Sequence, residues 1–348
     1  MRVRDARAVA TRWVIHHAAR APDFAGAFLS GSSAWLPGDA ELPASSDVDI
    51  MIVTTDAQAP AKLGKFLQDG VLLEASYLSW DEIPSAEAVL ATYYLAGSFR
   101  RNANSVIADP TGRLTALHSA VAEEYAKRPW VRLRCESAER RITDGLARLD
   151  PSQPFHDQVT ACMFPAGVTT HVLLTAGLRN PTVRLRYLAA RDLLTEYGRP
   201  EFHEELLGLL GCAHLTRERV EHHLRALTEV FDATAHLART PFFFASDITP
   251  AARPIAIDGG HDLIQRGHHR ESVFWIVATY ARCLKILAHD APAATQALFT
   301  PGFGELLADL GITSPAGLQQ RARHVHAFLP RLAEVTEAIL AANPAIQD

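Results

Sequence analysis

Two aspartates one residue apart, Asp47 and Asp49, open the strand-forming run Val48-Asp49-Ile50-Met51-Ile52-Val53, and sixteen residues before Asp47 the segment Gly31-Ser32-Ser33 closes another apolar stretch. Side chains alternate across a strand, so positions i and i+2 share a face. Asp47 and Asp49 therefore project together, and carboxylates that close repel unless a proton or a cation lies between them. Carboxylate oxygens suit Mg²⁺, which takes one or two of them plus substrate phosphates. The Gly31-Ser32 turn has what a phosphate needs: a residue without Cβ, so that backbone can approach, followed by amide and hydroxyl donors. Ser33 is a further candidate of the same kind. Glu74, 25 residues after Asp49, takes the polar slot of the apolar run Val71-Leu72-Leu73-Glu74-Ala75. Gly-Ser alone is often just a turn, and a strand Glu can simply face solvent. Their conjunction, a metal grip and a phosphate grip on neighbouring strands, points to nucleotide chemistry.

These groups need elements to hold them. The spacing of Val9, Trp13 and Val14 predicts a first helix over residues 3–20. Strands are expected at 25–30, 48–54, 71–78 and 105–108, with a Pro/Gly loop between the first two and a short helix at 60–67. Asp109-Pro110-Thr111-Gly112 is a turn signal, and beyond it the chain changes character. Residues 113–240 read as consecutive helices broken at Pro129, Asp150-Pro151, Asn180-Pro181 and Gly198-Arg199-Pro200. Residues 240–267, with three prolines and Gly259-Gly260, read as irregular; a long helix follows from 268 to 288, and three shorter helices finish the chain. The expected fold class is α+β, a small mixed-sheet domain at 1–112 followed by a larger all-helical domain at 113–348.

The longer pattern Gly31-Ser32-Ser33-Ala34, Gly38, then Ser46-Asp47-Val48-Asp49-Ile50, resembles the DNA polymerase beta-like nucleotidyltransferase superfamily. Within it, the antibiotic adenylyltransferases are more similar than the polymerases. Arg101-Asn102 followed by Ser105-Val106-Ile107-Ala108-Asp109-Pro110 resembles the strand and turn that close the catalytic domain in the streptomycin-type enzymes. The resemblance covers roughly residues 25–115. It implies a nucleotidyltransferase domain that uses Mg²⁺ and a nucleoside triphosphate donor, ATP by likeness to the adenylyltransferases. The reaction implied is transfer of a nucleoside monophosphate to a hydroxyl of a small-molecule acceptor, an antibiotic or a metabolite, with release of pyrophosphate. Asp47 and Asp49 would hold Mg²⁺, and Asp49 with Glu74 a second ion. Glu74 reads either as a metal ligand only or as the general base. Gly31, Ser32 and Ser33 would cradle the phosphates. Arg101 reads as a triphosphate contact or as half of a solvated Arg100-Arg101 pair. Lys285, on the helix with Trp275 and Tyr280, reads as a phosphate-facing lysine or an ordinary surface one. The helical domain would bind the acceptor.

Composition narrows the partners. The net charge of −5, with no long run of one sign, argues against a nucleic-acid groove, which needs a basic stripe. Residues 130–348 carry about equal numbers of acidic and basic side chains, which suits a polycationic aminoglycoside poorly. Two other readings share the motifs: a protein- or tRNA-modifying nucleotidyltransferase of the antitoxin type, and a non-catalytic nucleotide-binding module. The large helical part argues against the first, and three intact carboxylates against the second. Cys135, Cys162, Cys212 and Cys283 are far apart and read as buried reduced thiols. The N-terminus lacks the apolar core of a signal peptide, and no stretch is read as reaching the ~20 apolar residues that cross a bilayer. A soluble cytoplasmic protein with no membrane partner is expected. The pairs His16-His17, His222-His223 and His268-His269 put adjacent side chains on different helix faces, against a zinc site. Phe242-Phe243-Phe244 reads as a core plug or an apolar wall for the acceptor.

Overall fold

The computed structural model describes residues 1–100 and 105–348. The chain is α+β: a five-stranded mixed sheet in the N-terminal part, then a largely helical part. It divides into two compact units, Met1–Arg134 with Ala345–Asp348, and Cys135–Pro344.

The first unit is built on helix α1 (Val3–His16), strands β1 (Phe24–Ser30), β2 (Val48–Thr54), β3 (Gly64–Gln68) and β4 (Val71–Ser79), the short helices α2 (Ala86–Leu90) and α3 (Tyr93–Phe99), strand β5 (Val106–Ala108) and helix α4 (Arg113–Glu124). The strand order is β3-β4-β2-β1-β5, with β2 and β4 parallel and the other neighbours antiparallel. Alternation makes the sheet two-faced. Ala27, Leu29, Val48, Ile50, Ile52, Leu73 and Ala75 form one core with Ala6, Val9, Ala10 and Val14 of α1. On the other face Phe28 meets Phe99 of α3 and His118 of α4, with ring centroids 4.9 Å away in both cases. Because α4 packs onto the sheet in this way, the first unit runs on past residue 112 to Arg134.

Residues 60–67 do not form the expected helix. Gly64–Gln68 is an edge strand, joined to β4 by the two-residue turn Asp69-Gly70, whose φ angles are 48° and 75°. Asp-Gly with both residues at positive φ is the signature of a tight type I′ hairpin, and the hairpin overrides the weak helical signal of the segment before it.

The second unit takes up α5 (Arg128–Ala147, from Cys135 on), then α6 (Phe155–Ala176), α7 (Arg186–Glu196), α8 (Pro200–Leu210), α9 (Arg217–Leu237), α10 (Gly259–Gln265), α11 (His269–Asp290), α12 (Ala293–Asp309) and α13 (Pro315–Ala342). Helix α11 packs on α6, α9 and α12, and α13 on α6. Residues 240–258 form short turns, as their prolines suggest, but α10 lies within the span expected to be irregular. Two helices rather than three finish the chain, the last of 28 residues with Pro330 inside it. An interior proline removes one helical hydrogen bond; buried Leu318, Val325, Leu332, Val335 and Ile339 hold the helix on both sides of it. Helix α6 is long and apolar enough by composition to cross a membrane, contrary to expectation, and 72% of its apolar window is buried inside the protein, as in a core helix. The four cysteines are buried; burial pushes the thiol of Cys162 up to about 11 and those of Cys212 and Cys283 up to about 12.

His118 gives this fold a pH dependence. Burial between the two phenylalanines pushes its pKa from 6.5 down to about 4. Protonation therefore favours the unfolded chain: the stabilising effect of the neutral ring is complete above pH 6.5 and is lost as pH falls toward 4. The difference corresponds to about 3 kcal/mol. Urea denaturation of the wild type across that window should show a steeper loss of stability than His118→Phe by about this amount.

Candidate metal and phosphate site

The site is assembled where β1 ends and β2 begins. Pairing aligns Ser30 of β1 with Asp49 of β2, Asp49 with Glu74 of β4, and Glu74 with Lys65 of β3. Directly paired residues share a face, so these four side chains form one row across four strands. Asp47, two residues before Asp49, joins the row. One oxygen each from Asp47, Asp49 and Glu74 lies within 4.8 Å of the others, and all three residues are half-buried.

The turn after β1 is shaped for close approach. Gly31 has φ 59° and ψ −161°, and a Cβ placed there would fall 1.8 Å from Oδ2 of Asp49. Only glycine can bring the chain past that carboxylate. Residues Ser32–Ala34 then make a single 3-10 turn. Arg7 of α1 fastens it from behind: its Nε donates to the Ser33 carbonyl at 2.9 Å, and its Nη2 donates to the Ser33 and Leu36 carbonyls at 2.5 and 2.6 Å. Ser32 is exposed, whereas Ser33 is buried with its hydroxyl donating to the Ser30 carbonyl at 3.4 Å. Of the two serines, Ser32 presents a hydroxyl to solvent.

Three carboxylates this close need positive charge. Lys65 Nζ lies 2.5 Å from Glu74 Oε2 and 3.1 Å from Asp47 Oδ2, and its side chain is only 8% exposed. Lys62, in the loop before β3, forms an ion pair with Glu74 Oε1. Neither lysine was among the residues singled out by sequence, because residues 60–67 read as a helix. The missed signal was Asp69-Gly70: a hairpin there pairs Lys65 with Glu74 by register.

The donor set fits a hard divalent cation of the Mg²⁺ class: three carboxylates offer oxygen only, and the absent Cβ of Gly31 leaves Asp49 approachable from the turn. Beside the turn, within the same unit, is a cavity of about 760 Å³ lined by Trp35, Pro37, Ser98, Arg100 and Ser119 among others, with the Arg100 guanidinium 4.3 Å from the centre of the Trp35 ring.

The remaining candidates fall elsewhere. Arg101 lies outside the described residues. Lys285 is on α11 in the helical unit, where its Nζ is 2.8 Å from Asp157 Oδ1 and 5.4 Å from the centre of the Phe242 ring. Of the three phenylalanines at 242–244, only Phe244 is buried in the core; Phe243 is 78% exposed. No protein-family model, curated protein or solved structure gives a significant match to the chain.

Two glycines at positive φ separate backbone strain from close approach. A Cβ at Gly70 would meet nothing within 4 Å, whereas one at Gly31 would run into Asp49. Gly70→Ala should cost only the ~1–2 kcal/mol of left-handed backbone. Gly31→Ala should cost clearly more in the same urea titration, because it also drives Asp49 out of the row.

Proposed function

We propose that the protein is a Mg²⁺-dependent nucleotidyltransferase of the DNA polymerase beta-like kind, nearest in character to the antibiotic adenylyltransferases. Its reaction would move a nucleoside monophosphate, AMP from ATP by that likeness, to a hydroxyl of a small acceptor such as an antibiotic or metabolite. The observation that supports this reading best is the convergence of Asp47, Asp49 and Glu74 on one sheet face beside the Gly31-Ser32 turn. A cytoplasmic setting, with its supply of nucleoside triphosphates, fits the reaction.

Each residue has a role in this scheme. Asp47, Asp49 and Glu74 would hold Mg²⁺, which when bound supplies charge neutralisation for the triphosphate. The Gly31-Ser32 turn receives the phosphates that leave as pyrophosphate, and Arg7 keeps that turn in shape from behind. The acceptor oxygen forms a new bond to the α-phosphorus as the bond from that phosphorus to the β-phosphate's bridging oxygen breaks. Glu74 is the candidate to take the acceptor's hydroxyl proton. Phosphoryl-group transfer asks for positioning and electrostatics rather than a covalent protein intermediate, and a rigid row of side chains on a sheet supplies both. The neighbouring cavity has the volume of a small-ligand pocket and offers Trp35 and Arg100 as flat partners for a base or an acceptor ring.

The reading is tested by calorimetry with ATP, GTP, CTP and UTP in Mg²⁺, followed by pyrophosphate release with a panel of hydroxylated acceptors. One triphosphate should bind, and Asp49→Asn should lose that binding. Glu74→Gln should lower transfer about 10²–10⁴-fold. Wild-type turnover by Asp49→Asn would sink the assignment.

A further inference from the structure

The charge balance of the row raises a question that the proposed reaction does not answer. Asp47, Asp49 and Glu74 carry three negative charges, and Lys62 and Lys65 bring two positive ones to them. The chain uses lysine sparingly: only four of its 34 basic residues are Lys, and two of the four contact Glu74. The choice of lysine has physical consequences. Arginine grips a carboxylate with a rigid planar fork, whereas lysine is a point charge on a flexible four-carbon stem that can let go and turn elsewhere.

Position matters as much as type. Lys65 Nζ bridges Asp47 Oδ2 and Glu74 Oε2, so it uses the same carboxylates a divalent cation would use. An ammonium and a divalent cation on those oxygens would be like charges a few ångströms apart, and at that separation they repel strongly. One must yield. Lys65 sits on the edge strand β3, and Lys62 precedes it with 27% of its side chain exposed, so both stems start at the rim of the sheet rather than in its middle.

We propose that Lys65, assisted by Lys62, is a displaceable counter-ion: it holds Asp47 and Glu74 together beside Asp49 until a triphosphate arrives with a divalent cation, then transfers from the carboxylates to the phosphates. The identity of the incoming anion rests on the nucleotidyltransferase reading; the competition between ammonium and metal does not. A cation alone must evict the lysine with nothing to receive it, and so binds weakly. A cation carried by a triphosphate brings its own negative charge for the lysine to move to, and so binds well. The site would thereby take metal and triphosphate together rather than metal first.

The test uses Mn²⁺, read by its spin resonance signal, with the full-length wild type and Lys65→Met, first alone and then with inorganic tripolyphosphate. Removing the ammonium should tighten binding of Mn²⁺ alone at least tenfold, about 1.4 kcal/mol, and weaken binding of the Mn²⁺–tripolyphosphate complex at least tenfold. Lys62→Met should shift both in the same directions by less. Unchanged or weaker Mn²⁺ binding in Lys65→Met would overturn the proposal and leave Lys65 a structural pin. Tightened Mn²⁺ binding with no tripolyphosphate binding by either protein would uphold the competition and overturn the nucleotide reading. If Lys65→Met does not fold, Lys65→Gln, which keeps a donor for Glu74, carries the same comparison.

Discussion

Like charges set side by side on adjacent strands are the constraint on which the sheet unit turns. Asp49 and Glu74 are directly paired across β2 and β4, an arrangement that by itself weakens a sheet. The fold offsets it from both sides of the pair. On one side β3 adds Lys65 in register with Glu74; on the other, β1 ends in Ser30 and then Gly31, the residue that can pass Asp49 without a clash. The hairpin and the glycine turn are thus parts of one electrostatic and steric solution, not separate features.

The opposite face of the sheet keeps that row in place. Val48, Ile50, Leu73 and Ala75 are fully buried beneath α1, and a slip of one residue in β2 or β4 would expose that strand's pair while turning its carboxylate inward. Burial of apolar area, worth about 25 cal/mol per Å², therefore fixes the register of charges it never touches. The same helix reaches the site a second way. Its Arg7 spends its guanidinium on the carbonyls of Ser33 and Leu36, so the face that seals the core also fastens the glycine turn.

What the sequence revealed and what it hid follow from the range of the interactions involved. Asp47 and Asp49 share a face by strand period alone, and Glu74 fills a polar slot in an apolar run; both facts are local, and the structure brings the three together. Lys65 was hidden because its role depends on a hairpin partner, and residues 60–67 have no strong period of their own. The dipeptide Asp69-Gly70 was the one local clue. The extent of the sheet unit was hidden for a similar reason: α4 looks like any other helix until His118 is seen stacked on Phe99 at 4.2 Å. The chain ends in two helices rather than the three expected, because a buried stripe on both sides of Pro330 keeps 315–342 one helix. Arg101 lies outside the described residues.

The displacement proposed above would give lysine and arginine different parts in the chain's ion pairs. Elsewhere lysine also pairs with acids, as Lys285 does with Asp157, but many pairs use arginine, as in Arg282 with Asp247 at 3.0 Å, with the arginine side chain only 10% exposed, or Arg253 with Asp232 at 2.8 Å. The Arg253 guanidinium grips Asp232 as a fork that fixes geometry, and burial makes the Arg282–Asp247 pair costly to break. At the carboxylate row a fork would do the same and lock out any cation. Two lysines supply the charge needed to fold the row while leaving each contact individually replaceable. A site that must hold three carboxylates together and still admit a ligand cannot optimise its own ion pairing, because every increment that tightens the resting cluster is an increment the ligand must overcome. In the displacement proposed above the lysines would meet both demands, because a flexible stem, unlike an arginine fork, can leave without moving the strand.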